Sequence, residues 1–215
     1  MDRKQAKVAW VSTLTNRMPL TALDYTAPQN YIMKCYGCPF DESERLAAVK
    51  HLVARFHLAL KLQPCLGGQI IHGEENDGKL SLPQLVYPPD VVNNNLHTFP
   101  DEVFDHRVLE ESQFPYTFER LGELGVPASA FEKHLLWLLP ESDPAPGDGC
   151  HPVTLRASFI KGGLILAFAF HHGVMDGTGT NDFLNDFCLN SVFNYEVPPW
   201  EPSVFIGPRS IIALE

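Results

Sequence analysis

The chain has no apolar run approaching the ~20 residues that a membrane span needs. Its opening stretch, MDRKQAKVAWVSTLTNRMPL, carries early positive charge but no apolar core of signal-peptide length. Basic residues are scarce: 16 Lys and Arg stand against 26 Asp and Glu, a net charge of −10. Nucleic acid and anionic membranes both select a basic footprint, so neither is expected as the main partner, while a local positive cluster still suffices for an anionic co-substrate. Cysteine is sparse too. Cys35, Cys38, Cys65, Cys150 and Cys188 are odd in number and scattered, which argues against a disulfide framework. Cys35-Tyr-Gly-Cys38 spells C-x-x-C, but no second pair with zinc spacing follows, and it lies in the extended-looking NYIMKCYGCPF. It reads as two half-buried structural thiols. These absences predict a soluble, cytoplasmic protein that binds no metal.

What the chain does contain is 215 residues, 45% hydrophobic and 20% charged, enough for a substantial core in one large domain or two small ones. The clearest helix is DESERLAAVKHLVARFHLALKL, residues 41–62, with Asp41 or Ser43 as its cap and Glu42 and Glu44 in the first turn. Leu46, Val49, Leu52, Val53, Phe56, Ala59 and Leu60 recur at three- and four-residue spacing and predict one buried stripe. Residues 69–87 read as a hairpin. Residues 88–150 are acidic and Pro-rich, with short helical pieces such as SAFEKHLLWLL. In VTLRASFIKGGLILAFAFHH, two β-rich runs flank Lys161-Gly162-Gly163, which predicts a second hairpin. Its second strand, Leu164 to Phe170, is apolar on both faces and so central. A helix follows through TGTNDFLNDFCLNSVF, and residues 196–215 read as a Pro-rich tail or linker. The prediction is one α+β lobe over residues 1–195, a two-layer sandwich of a mixed sheet with helices on one face.

FAFHHGVMDGTGTNDF puts His171 and His172 at the end of that buried strand, with Asp176 and Gly177 just beyond. A central strand ending in a tight turn is a rigid platform. A neutral imidazole there can take a proton from an alcohol or amine at cellular pH. A carboxylate four residues on can orient the ring or, paired with an arginine, lock the turn. Gly173 and Gly177 are expected to permit that turn. A metal site is disfavoured because adjacent strand residues point to opposite faces.

HHGVMDG resembles the H-H-x-x-x-D-G signature of CoA-dependent acyltransferases, the BAHD-type enzymes, chloramphenicol acetyltransferase and peptide-synthetase condensation domains among them. LTALDYTAPQNYI, LVARFHLALKLQPCLGGQI and LRASFIKGGLILAFAFHHGVMDG resemble the N-terminal half of fungal enzymes of the trichothecene 3-O-acetyltransferase kind, over roughly residues 17–190. The resemblance implies a chloramphenicol acetyltransferase-like lobe whose co-substrate is an acyl-CoA, with acetyl-CoA the default. The acceptor would be a hydroxyl or amine of a small secondary metabolite.

Carried over by motif, His172 is the general base and acts without an acyl-enzyme, so the lack of a G-x-S-x-G elbow is no objection. Asp176 is structural, turned away from substrate and paired with an arginine, for which Arg17 and Arg156 are the candidates in this chain. Gly177 permits the turn, and His171 supports it. The family has two lobes with the active site in a tunnel between them, and the second carries a D-F-G-W-G segment that this chain does not contain. The alternative expectation is therefore a non-catalytic single lobe that needs a second lobe. A homo-oligomer is also possible, since chloramphenicol acetyltransferase builds its sites between subunits of a trimer.

Overall fold

In a computed structural model, the described residues are 15–21, 24, 26–71, 75–76, 79–80, 83–88, 102–140, 149–188 and 212–214. The strands in chain order are β1 (Asn16–Pro19), β2 (Tyr31–Pro39), β3 (Gln69–Ile71), β4 (Glu75–Asn76), β5 (Lys79–Leu80), β6 (Gln84–Tyr87), β7 (Phe104–Val108), β8 (Gly149–Cys150), β9 (Val153–Ile160), β10 (Gly163–His171) and β11 (Ile212–Leu214). The helices are α1 (Arg45–Leu62), α2 (Phe118–Glu123), α3 (Lys133–Leu136) and α4 (Gly177–Cys188). A five-stranded sheet runs β11-β2-β10-β9-β7, antiparallel except for the parallel β7–β9 pair. A smaller sheet runs β1-β6-β3-β8.

β10 is central because nothing on it tolerates water: all nine of its residues are buried. Its two faces feed two cores. Leu164, Leu166, Phe168 and Phe170 pack with Leu52 and Phe56 of α1 and Phe183 and Phe187 of α4. Phe168 and Phe170 stack in parallel, and Phe183 meets Phe170 edge-on at 5.5 Å. Ile165, Ala167 and Ala169 pack instead against Leu121, Leu136 and Trp137 from the segment that carries α2 and α3. The alternation follows from the two-residue period of a strand, and burying each phenyl ring is worth about 1.5–3 kcal/mol. The small Ala side chains sit where the covering layer is irregular, and the rings sit under the two long helices.

The predicted α+β lobe, its mixed sheet and the hairpin at residues 161–163 are all present. Gly162 takes the left-handed conformation that the two-residue turn demands, with φ of 74°. Asp41 starts the first helix as expected, its side chain accepting the Ser43 amide across a short 3-10 turn that leads into α1. β3 and β6 pair antiparallel, closing the predicted hairpin over residues 69–87.

Three readings need correction. Leu46 is not part of the α1 stripe and is 70% exposed. It lies six residues from Leu52, about 120° around the helix from the buried line of Ala48, Leu52, Phe56 and Ala59. The acidic region after residue 88 contains the strand β7, whose FDHRV pattern offers only Phe104 to the main core. Part of the predicted tail also joins the fold, because residues 212–214 pair with Gly37, Tyr36 and Cys35 at the β2 edge. KVAWVSTL, which reads as an N-terminal strand candidate, lies outside the described residues, as do residues 141–148 of PESDPAPGDGCHP, which reads as a surface loop by composition.

Cys35 and Cys38 are both buried and free, and they feed opposite cores. Residues three apart on a strand face opposite sides, so this C-x-x-C can neither close a disulfide nor share an ion. Burial pushes both thiols up to about 12.

Candidate active site

Backbone bonds pin the end of β10 on both sides. The His171 amide donates to the Pro152 carbonyl at 2.8 Å, and the His172 amide donates to Asn30 at 2.8 Å. The chain then folds back on itself, as the Val174 and Met175 amides both donate to the His171 carbonyl at 3.0 and 3.1 Å. Met175 is buried in the main core, which anchors the far side of the turn.

The two histidines fall into different environments. His171 is 4% exposed. Its Nδ1 accepts the Gly173 amide at 3.2 Å, and its ring meets Tyr31 edge-on at 5.2 Å. That bond requires an unprotonated Nδ1, so the neutral tautomer carries its proton on Nε2. His171 is a wall of the turn.

His172 is half-buried. Its Nδ1 is sealed from solvent with no hydrogen-bond partner. A buried polar atom without a partner costs about 1–3 kcal/mol, and a catalytic role is one of the reasons a native fold retains such an atom. A neutral imidazole with its proton on the enclosed Nδ1 keeps Nε2 as its basic atom.

Asp176 is exposed and does not meet an arginine among the described residues. Its Oδ1 accepts the Gly179 amide at 2.8 Å, and its carbonyl accepts the Thr180 amide and hydroxyl at 2.9 and 2.7 Å. This is the N-cap geometry of α4, with a carboxylate at the positive end of the helix. Both expected arginine partners are engaged elsewhere. Arg17 donates to Gln84 at 3.2 Å. Arg156 donates to Asp105 at 3.1 Å and to the carbonyls of His134, Leu135 and Trp137.

The glycine expectation is also corrected. Among the described residues the left-handed glycines are Gly125 and Gly162, so neither Gly173 nor Gly177 supplies that conformation to the turn. A Cβ on Gly177 would meet nothing within 4 Å, because Gly177 opens α4 with an ordinary backbone. A Cβ on Gly173 would come within 3.0 Å of the Gln29 amide and 3.2 Å of the His171 ring. There the glycine provides clearance.

The turn thus brings His171, His172, Asp176 and Gly177 together, as their spacing predicts. Sequence reasoning did not single out Gln29, Asn30, Tyr31 and Pro152, which hold the turn from outside. Their one sequence signal is β-strand pairing, since Tyr31 stands opposite His171 in the β2–β10 register. No group of three or more potential metal ligands occurs among the described residues. No helix among them is long and apolar enough to cross a membrane.

The family model described as "Trichothecene 3-O-acetyltransferase-like N-terminal domain" matches residues 30–188. O-acyltransferase pigD of Monascus ruber is 29% identical over 164 residues, 73% of this chain and 33% of the relative. Eremophilane O-acetyltransferase ORF8 of Penicillium roqueforti is 30% identical over 93 residues, 42% of this chain and 19% of the relative. The chain therefore spans a third or less of these curated relatives. The crystal structure of F. graminearum TRI101 complexed with coenzyme A and deoxynivalenol superposes with a TM-score of 0.67 at 20% identity, covering 90% of this chain and 45% of that one. At that identity the likeness establishes the fold.

Proposed function

Because the chain belongs to the trichothecene 3-O-acetyltransferase-like family through its N-terminal domain, we propose that it carries the general base of a CoA-dependent acyl transfer to a small-molecule hydroxyl or amine. The observation that carries this reading is His172 itself: a ring held at the end of the central strand, with Nδ1 enclosed and unpartnered. In the proposed step, Nε2 of His172 takes the proton from the acceptor O–H or N–H as that atom attacks the thioester carbonyl. The tetrahedral oxyanion so formed collapses to restore the C=O bond, the C–S bond breaks, and the imidazolium returns its proton to the departing thiolate. General base catalysis of this kind contributes roughly 10²–10⁴-fold. Acetyl-CoA is the donor to try first, since the curated relatives named above include an O-acetyltransferase.

Asp176 serves this chemistry by fixing the start of α4, and His171 does so by bracing the turn. Neither touches the reacting atoms in the proposed step.

A second reading is favoured by length. The matched relatives are much longer than this chain, and a base on an open face neither excludes water nor aligns two substrates. In this reading the lobe turns over only when a second lobe or a second copy supplies the other wall.

The test pairs His172→Ala with native mass by light scattering, using acetyl-CoA and a panel of small alcohols. We expect a closed oligomer, or a chain supplied with its second lobe, to be active, and His172→Ala to lose activity while its melting curve stays unchanged. Retained turnover in the variant would remove the general-base assignment. An inactive monomer would favour the second reading.

A further inference from the structure

The covering face of the main sheet carries a charge imbalance far from the histidine turn. Asp105 and Arg107 of β7 lie opposite Arg156 and Ser158 of β9 in the parallel register. The two-residue period sends all four to the side away from α1 and α4. Arg156 is engaged through two of its three nitrogens: Nε donates to Asp105, and Nη1 donates to three carbonyls of the α3 segment. That leaves Arg107 with no ion pair of its own among the described residues, and with Asp105 as the carboxylate it shares with Arg156. Its Nε and Nη2 are both enclosed and have no hydrogen-bond partner. Ser158, the residue opposite it, is 0% exposed, and its Oγ is equally unpartnered.

The coincidence is specific. Nε and Nη2 form one edge of the guanidinium, the fork that gives two parallel bonds to a single oxyanion. An enclosed fork, an orphaned hydroxyl on the facing residue of β9 and two guanidinia to one carboxylate are three deficits of one kind. Each lacks an acceptor, or a negative charge, and all fall on facing residues of the β7–β9 strand pair. Burial lowers the proton affinity of both arginines, and the nearby Arg107 lowers that of Arg156 further. An anion would relieve both effects.

We propose that Arg107 and Ser158 form a binding site for a tetrahedral oxyanion of the phosphate or sulfate type, with Arg107 giving the bidentate fork and Ser158 a third donor. Arg156 and Asp105 hold the strand pair in register and keep the site cationic. Ser158 lies six residues from Pro152, so the site is roughly 20 Å along the sheet from the histidine turn. It is separate from the acyl-transfer chemistry and does not depend on it.

The test is isothermal titration of the intact chain with inorganic phosphate and with glycerol 3-phosphate, against chloride at matched ionic strength. We expect one phosphate per chain, with affinity falling roughly tenfold or more in Arg107→Met. Arg107→Lys should recover only part of the loss, because an ammonium restores charge without the fork. Ser158→Ala is the variant that guards against misfolding. It deletes a buried hydroxyl that has no partner, so the fold should be retained while phosphate affinity drops severalfold. Tighter binding of glycerol 3-phosphate assigns the site to a phosphate ester, and tighter binding of inorganic phosphate assigns it to the free ion. No phosphate binding in the millimolar range, or equal binding by wild type, Arg107→Met and Ser158→Ala, would overturn the proposal.

Discussion

Asp176 Oδ1 accepts the Gly179 amide at 2.8 Å, so the carboxylate of the H-H-x-x-x-D-G string acts here as a helix cap. The bond satisfies one of the amides that every helix start leaves without a partner. Its negative charge also faces the positive end of α4. Asp176→Ala should therefore cost about 1 kcal/mol of stability, whereas Asp176→Asn, which keeps the acceptor oxygen, should lose only a few tenths. Denaturant melts of the two variants check this. Equal destabilisation would mean that the charge, through a partner such as an arginine, matters more than the cap.

Gly177 gives a sharper contrast, because its place in the motif invites a conformational explanation that the fold does not need. With no left-handed backbone and open space around an added Cβ, Gly177→Ala should leave the melting temperature unchanged or slightly raised. Ala is favoured over Gly in a helix by up to about 1 kcal/mol. A fall of several degrees would show that the turn does require glycine. A stable variant with impaired acyl transfer would place the added methyl in the path of substrate.

The architecture was legible wherever burial dictated sequence. β10 is apolar on both faces, and that alone marks it as central. The turn at residues 161–163 was readable because Gly162 must adopt a positive φ. β7 was not readable. Only five residues long, it offers Phe104 to the core and uses Asp105 and Arg107 on the other face, so its composition is that of a loop. Leu46 misled for the opposite reason, since hydrophobic spacing places a residue on a stripe without saying which edge of the stripe meets the sheet. At the site, the motif brought four residues to one turn. The partner of Asp176 was lost to it, because Arg156 is claimed by Asp105 and three carbonyls that no local pattern reveals.

His51 should set the acid limit of stability. It lies on α1, one helical turn before Arg55. Burial, and secondarily the charge of Arg55, lower its pKa from 6.5 to about 4. The folded chain therefore resists a proton that the unfolded chain accepts readily. Above about pH 6.5 both forms are neutral and the native state is at full strength. Between 6.5 and 4 the unfolded state binds more protons, so stability falls as pH falls through that window. His51→Gln, which cannot titrate, should flatten the slope of unfolding free energy against pH between 4 and 6.5 and leave the slope above 7 unaltered. Urea midpoints measured at half-unit pH steps would show it. An unchanged acid slope in the variant would mean that His51 is protonated in the folded chain and that the acid limit belongs to other groups.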